Sequence, residues 1–321
     1  MKIGIIGAGG IARHMAKTLN QMQGVTCYAI ASRTLEKAQE FAKIHQIENA
    51  YGSYEELVKD EQVDLVYIAT PHNYHYEQAL LCLEHNKPVL CEKAFMLNAK
   101  QAKEVICKAE EKNVFVAEAI WTRYLPSRTL VQEVIDSGEI GEITTITANF
   151  GAKIQHIQRI TDPSLAGGVL LDLGVYLMAF ATMFLGTEVE EVQSVCTKFD
   201  TGVDATNSII LKYKDEKQVL LHSNATAVTD KKGIIYGTKG YIVANDFNNI
   251  TSIDVYEGET LKRSIEIPAQ ITGFEYQVEA AIAAIKEGKI ECAQAPHEVS
   301  IRVMELMDEC RKQWGLVYPD E

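Results

Sequence analysis

Two textures of apolar and polar positions divide this chain. Up to about residue 120, short β-branched runs at 3–6, 25–31, 63–69, 89–91 and 114–117 alternate with stretches whose apolar positions recur every three to four residues. Those stretches include Ile11, Met15 and Leu19, then Leu35, Ala38, Phe41 and Ala42, then segments 76–85 and 98–112. Strand and helix in alternation predict a parallel sheet covered by helices on both faces. From Glu142 onward, Val-, Ile- and Thr-rich runs follow near 142–150, 190–199, 206–213, 217–226, 233–237, 240–244, 251–256 and 261–266. Turn residues join some of them, as in Lys214-Asp215-Glu216-Lys217 and Glu257-Gly258-Glu259-Thr260, so a mostly antiparallel open sheet is expected. Helices are predicted at 171–185, 274–286 and 297–314. The fold class is therefore α/β followed by α+β, with domains at 1–120 and 121–321. On 209–213, Ile209, Leu211 and Tyr213 alternate with Ile210 and Lys212, which leaves open which face is buried.

The first run leads straight into Gly7-x-Gly9-x-x-Ala12, and a second strand completes the βαβ unit. A pyrophosphate needs small residues there, because it sits on unpaired N–H groups at the first turn of a helix. Gly7 permits the turn, Gly9 lets the backbone approach the phosphates, and Ala12 lets helix pack on strand. With Gly10 and Ile11 they form the expected dinucleotide cradle of a Rossmann domain. The second strand ends in Ser32-Arg33, without the carboxylate that normally binds the ribose 2′-OH of NAD. Ser32, Arg33 and Lys37 suit a 2′-phosphate instead, so NADP is expected ahead of NAD, although an arginine here can also merely cap a surface helix. Two further strand ends carry polar groups on the ligand-binding edge of such a sheet. These are the loop Thr70-Pro71-His72-Asn73-Tyr74-His75 and the pair Glu92-Lys93. Thr70, Pro71, His72, His75, Glu92 and Lys93 are candidate cofactor contacts, with Trp121 and Arg123 from the run that ends the domain. The two histidines bring no acidic or thiol partner at ligand spacing, so no metal is expected.

Composition narrows the class. A formal charge of -13 over 321 residues, with no basic cluster, argues against nucleic acid. Seven cysteines without a C-x-x-C pair read as reduced thiols of a cytoplasmic protein. The opening residues read as a strand rather than a secretory signal. No apolar run is expected to reach the ~20 residues that span a bilayer, so no membrane partner is expected. On 171–185, Asp172 and Tyr176 lie four residues apart and share a helix face, after Ala166-Gly167-Gly168. From the residues alone they are either catalytic or a tyrosine and carboxylate that satisfy each other.

Four segments occur in an order and spacing that resemble the glucose-fructose oxidoreductase, inositol dehydrogenase and rhizopine catabolism (Gfo/Idh/MocA) family: Gly7–Ala12, Ala69–His72, Cys91-Glu92-Lys93 and Gly167–Tyr176. Glu118–Arg123, Asp172-x-Gly174-x-Tyr176 and Gly237-Thr238-Lys239-Gly240 are most similar to its dimeric dihydrodiol and D-xylose dehydrogenase branch. The resemblance implies a Rossmann domain, then a domain whose open sheet forms subunit interfaces in a homodimer or homotetramer. It also implies that Lys93 and Tyr176 are catalytic with Asp172 beside them, and that NADP is the cofactor. One departure is Ala94, where the family has proline.

These readings combine into an expected chemistry: hydride transfer between NADP and a secondary alcohol or carbonyl of a sugar, cyclic polyol or trans-dihydrodiol. Tyr176 acts as acid/base, and Lys93 favours its ionised form. Trp121, Tyr124 and Phe150 offer aromatic walls. Lys153, His156 and Arg159 suit an anionic group or simply a solvated loop. Trp121, Phe150, Arg159 and Tyr176 are the candidate substrate contacts. The alternatives are an NADPH-dependent reductase of a sugar-like or dicarbonyl substrate, and a non-catalytic dinucleotide-binding redox sensor.

Overall fold

The computed structural model describes residues 1–319 and 321. In chain order the elements begin β1 (Lys2–Ile6), α1 (Gly10–Leu19), β2 (Thr26–Ala31), α2 (Leu35–His45), β3 (Asn49–Tyr51), α3 (Tyr54–Lys59), β4 (Leu65–Ile68), α4 (His75–Glu84), β5 (Val89–Glu92), α5 (Ala99–Lys112) and β6 (Val116–Ala119). Then come α6 (Pro126–Asp136), β7 (Ile143–Gly151), α7 (Gln158–Thr161), a π-helical turn (Leu170–Gly174) and α8 (Val175–Leu185). The chain continues with β8 (Val189–Lys198), β9 (Asp204–Tyr213), β10 (Gln218–Asn224), β11 (Gly233–Gly237), β12 (Gly240–Asn245), β13 (Ser252–Glu257) and β14 (Thr260–Glu266). It closes with α9 (Glu275–Lys286) and α10 (His297–Trp314).

Contacts group the chain into two units: Met1–Trp121 with Gln270–Ile301, and Thr122–Ala269 with Arg302–Glu321. A single boundary after residue 120 does not describe the return of 270–301 to the first unit. That return is held by local bonds. Glu275 accepts the N–H groups of Ile271, Thr272 and Gly273, Thr272 shares a hydrogen bond with Thr18 of α1, and Val116 N–H donates to the Ile290 carbonyl.

The first unit is built on a six-stranded, all-parallel sheet in the order β3-β2-β1-β4-β5-β6. Its central strands are apolar throughout because helices cover both faces; Leu65, Val66, Tyr67 and Ile68 are each at most 1% exposed. The order reverses between β1 and β4, and ligands bind such sheets at the carboxyl ends beside that reversal. Thr34, Ser53 and Asn98 cap α2, α3 and α5 through their side chains. Leu35 is 43% exposed, so the buried stripe of α2 is Ala38, Phe41 and Ala42.

The second unit holds an eight-stranded sheet in the order β14-β13-β12-β11-β7-β10-β9-β8. Every pair is antiparallel except β7 with β10. Helix α8 packs on β7 and β10. The inner face carries Ile146, Ala148, Ile209, Leu211, Val219, Leu221 and Ile235, all buried, whereas Ile210 and Leu220 on the other face are more than 40% exposed. The sequence pattern did not anticipate how apolar the helical stretch is. Pro163–Leu185 has mean hydropathy 1.9 over its most apolar window, enough by length and composition to cross a bilayer. That window is 89% buried within the protein, the mark of a core helix.

Candidate active site

In the first unit the glycine turn is fixed by geometry at one position and open at another. Gly7 has φ +97°, and a Cβ there would lie 2.9 Å from the Ala69 carbonyl oxygen. Gly7 N–H donates to the Ala31 carbonyl, which ties the turn to β2. At Gly9 a Cβ would meet only the Ala69 oxygen, at an ordinary 3.9 Å, and at Gly10 it would meet nothing within 4 Å. No neighbouring protein atom therefore requires glycine at 9 or 10. Gly9 caps α1 without a side-chain bond, and the first turn carries no acid, so its N–H groups and partial positive charge suit an anion. This cradle, which a side chain would narrow, fits the pyrophosphate of a dinucleotide. Ile11 and Ala12 follow on the same helix, with Ala12 fully buried against the sheet.

At the end of β2, Ser32 is buried and its N–H donates to the Tyr51 carbonyl, whereas Arg33 and Lys37 are exposed. The Lys37 N–H caps onto Thr34. After β4, Thr70 donates to Gln78 (2.6 Å), while Pro71 and His72 stay half-buried. His75 differs from its expected role as a cofactor contact. It is fully buried, with Nδ1 3.0 Å from the Ala94 carbonyl oxygen and Nε2 2.9 Å from that of Thr70, so its ring joins two loops of the protein. Burial pushes its pKa down.

At the end of β5, Glu92 is buried, accepts the Tyr67 hydroxyl, and also accepts the Lys93 N–H at 3.3 Å. Burial raises its carboxyl to about 7, against the lowering effects of the Tyr67 bond and of Lys93. Glu92 thus lies beneath the loop rather than on its surface, and Lys93 is the half-buried member of the pair. The Lys93–Ala94 peptide bond is cis. Trp121 stacks on Phe274 with centroids 4.9 Å apart, and Phe274 in turn packs on His14 of α1. Gly273, with φ +91°, lets the chain pass 2.6 Å from a Trp121 ring carbon, measured to the Cβ it lacks. Phe274 and His14 escaped the sequence reading because no local pattern links residues so far apart.

In the second unit, the π turn and α8 carry the other candidates. A π turn is wider than an α turn, so Asp172 and Tyr176, four residues apart, are about one turn apart on one face. Asp172 is buried, and the Arg159 guanidinium binds both its oxygens, at 2.8 and 3.4 Å. Arg159 is therefore a counter-ion of Asp172. Lys153 and His156, from the same loop, are exposed. Tyr176 is 9% exposed and packs on Phe150 at 5.8 Å. The Phe150 ring also meets Phe247 and carries Lys231 over it at 5.6 Å, two neighbours that the sequence did not single out. Arg123 is only 4% exposed and donates to Thr182 on α8, so its cation also braces that helix within the second unit. Tyr124 beside it is buried too.

Residues 1–119 match the oxidoreductase family with an NAD-binding Rossmann fold, and residues 129–243 match the GFO/IDH/MocA C-terminal domain. The chain is 37% identical to trans-1,2-dihydrobenzene-1,2-diol dehydrogenase of Xenopus tropicalis, over 99% of both chains. It is 32% identical to the human protein of that name, over 100% of this chain and 99% of the other. Among solved structures it is similar to KijD10, a 3-ketoreductase from Actinomadura kijaniata in complex with NADP and TDP-benzene, with 25% identity, a TM-score of 0.89 and 97% of each chain covered. Levoglucosan dehydrogenase in complex with NADH shares the fold at 18% identity, with a TM-score of 0.88 and 98% of this chain and 97% of the other covered. The chain is an oxidoreductase and belongs to the Gfo/Idh/MocA family.

Proposed function

We propose that this enzyme transfers a hydride between NADP and a secondary alcohol, or the matching carbonyl, of a trans-dihydrodiol, sugar or cyclic polyol, with Tyr176 as the general acid/base. The observation that carries this reading is the Arg159–Asp172 pair one turn before Tyr176. A free phenol has a pKa near ~10, and a bare carboxylate beside it would raise that further. Arg159 offsets the carboxylate charge. Lys93 then supplies the cation that favours tyrosinate and binds the substrate oxygen. In oxidation Tyr176 takes the hydroxyl proton, and in reduction it returns it to the carbonyl oxygen.

When bound, the nicotinamide supplies or accepts the hydride. Gly9, Gly10 and the first turn of α1 would hold the pyrophosphate, Arg33 and Lys37 the 2′-phosphate, and the residues around Thr70–His72 and Lys93 the nicotinamide side. Trp121, half-buried, offers a ring face to a sugar or arene diol, Phe150 is buried behind Tyr176 and backs it, and Arg159 fixes Asp172 rather than gripping an anion. The relatives named dihydrodiol dehydrogenase favour a trans-dihydrodiol first. The free thiols of all seven cysteines, five of them buried, favour a reducing, cytoplasmic setting.

The test follows nicotinamide absorbance with NADP or NAD and a panel of trans-dihydrodiol, aldoses and inositol. Turnover should occur with NADP on one class. Arg33→Ala should weaken NADP by about tenfold or more, the ~1.5–3 kcal/mol of a charged hydrogen bond, and leave NAD nearly unchanged. Equal losses for both cofactors would remove the 2′-phosphate role.

A further inference from the structure

The second unit buries a carboxylate that the reaction does not use. Asp204, the first residue of β9, is fully buried. Its Oδ2 accepts the Leu170 N–H at 2.9 Å and the Asn207 side-chain amide at 2.9 Å, and Asn207 in turn accepts the Ser223 hydroxyl at 2.8 Å. Leu170 opens the helical run that carries Asp172 and Tyr176. The residue at the local cap position, Val169, has no side-chain acceptor. A helix start needs such an acceptor, and here a strand 34 residues away in sequence provides it.

The approach to the helix is built around the same carboxylate. Gly168 has φ +110°, and a Cβ on it would stand 2.1 Å from Asp204 Oδ1. The N–H groups of Gly167 and Gly168 donate to the carbonyls of Asp162 and Ile160, next to Arg159, and the Gly167 carbonyl accepts the Tyr318 hydroxyl at 2.8 Å. Among the described residues no ion pair is made by Asp204; the nearby Arg311 is bound to Asp308 and Glu321. Burying a carboxylate this way is costly, and its acidity is weakened to about pKa 6. An apolar side chain would fill the space without that cost, but it would not accept the Leu170 N–H.

We propose that Asp204 is a positioning residue: by capping the run from Leu170 it fixes the height and rotation of the helix that presents Asp172 and Tyr176. The inference rests on Tyr176 being the acid/base. Misplacing a reacting group by about 1 Å can cost on the order of 10²-fold in rate. In the full-length enzyme, with NADP and whichever panel substrate turns over, Asp204→Ala should lower kcat by about 10- to 100-fold. The KM values for substrate and NADP should stay within about twofold, because uniform binding is untouched. Asp204→Asn keeps an oxygen for the Leu170 N–H and should restore most of the kcat. Amide hydrogen exchange over 168–178 should quicken in Asp204→Ala and return toward wild type in Asp204→Asn.

A purely structural role would lower the yield of folded enzyme without the kcat split or the rescue. Full kcat with unchanged exchange in folded Asp204→Ala would overturn the proposal. Should that variant not fold, Asn207→Ala, which removes the amide that aims Asp204 together with the acceptor of the Ser223 hydroxyl, should show the same split at about three- to tenfold, and normal kcat and exchange there would overturn it equally. Hydrogen exchange needs no turnover, so it judges Asp204 even if Tyr176→Phe proves fully active and the acid/base reading fails.

Discussion

Glu92 is the residue at which burial and chemistry compete most directly. Its folded pKa of about 7 stands above the ordinary 4.5, so the folded state binds its proton more readily than the unfolded chain does. The stabilisation from that proton is complete below about pH 4.5 and is lost as pH rises through about 7. Glu92→Gln removes this slope while keeping an acceptor for the Tyr67 hydroxyl. Thermal unfolding at pH 5 and pH 8 should show the variant gaining on wild type as pH rises, by up to a few kcal/mol. A difference independent of pH would mean Glu92 is ionised throughout. At this scale the sequence was legible where geometry is local, as in Gly7, whose turn takes a positive φ. It failed where a side chain is committed to distant backbone or to another helix. His75 looks like a cofactor ligand by position, but carbonyls from two loops surround its ring, and Arg123 also engages Thr182 on another helix.

The glycine turn makes a split prediction at the scale of the element. Gly7→Ala forces an L residue to φ +97° and a Cβ within 2.9 Å of backbone, so it should destabilise the first unit by about 1–3 kcal/mol. Gly9 has φ -91°, which alanine adopts freely, and room for a methyl group. Gly9→Ala should leave the melting temperature nearly unchanged while weakening NADP by about tenfold or more, since the methyl would face the pyrophosphate. Unchanged NADP affinity in Gly9→Ala would place the phosphates elsewhere. The strands of the second sheet were legible because each alternates or runs apolar between turn residues. The short edge strand β3 was not, because Asn49-Ala50-Tyr51 has no β-branched residue and is only half-buried. Helix α6 was hidden too, as its start at Pro126 merges with the aromatic run before it. The parallel pairing of β7 with β10 left no trace in a pattern that reads residues and not partners.

For the whole molecule, the outer face of the eight-stranded sheet makes the sharpest claim. Ile210 pairs with Leu220, and both are more than 40% exposed. Tyr236, Tyr241 and Tyr256 form a half-buried aromatic row across three strands of the same sheet. Exposed apolar surface on a folded sheet favours a partner, and we propose a second copy of this chain. Light scattering should give a dimer or tetramer for wild type and a smaller species for Leu220→Glu; a wild-type monomer would refute the proposal. The return of 270–301 to the first unit was invisible in the sequence, since its helix reads the same in either unit.

The most direct test of the central claim is Tyr176→Phe, assayed for turnover with NADP and separately for NADP binding. The substitution keeps the ring against Phe150 and removes only the hydroxyl. Turnover should fall by roughly 10²- to 10⁴-fold with the NADP dissociation constant within about twofold. Turnover equal to wild type in a normally folded Tyr176→Phe enzyme would contradict the assignment of Tyr176 as the acid/base.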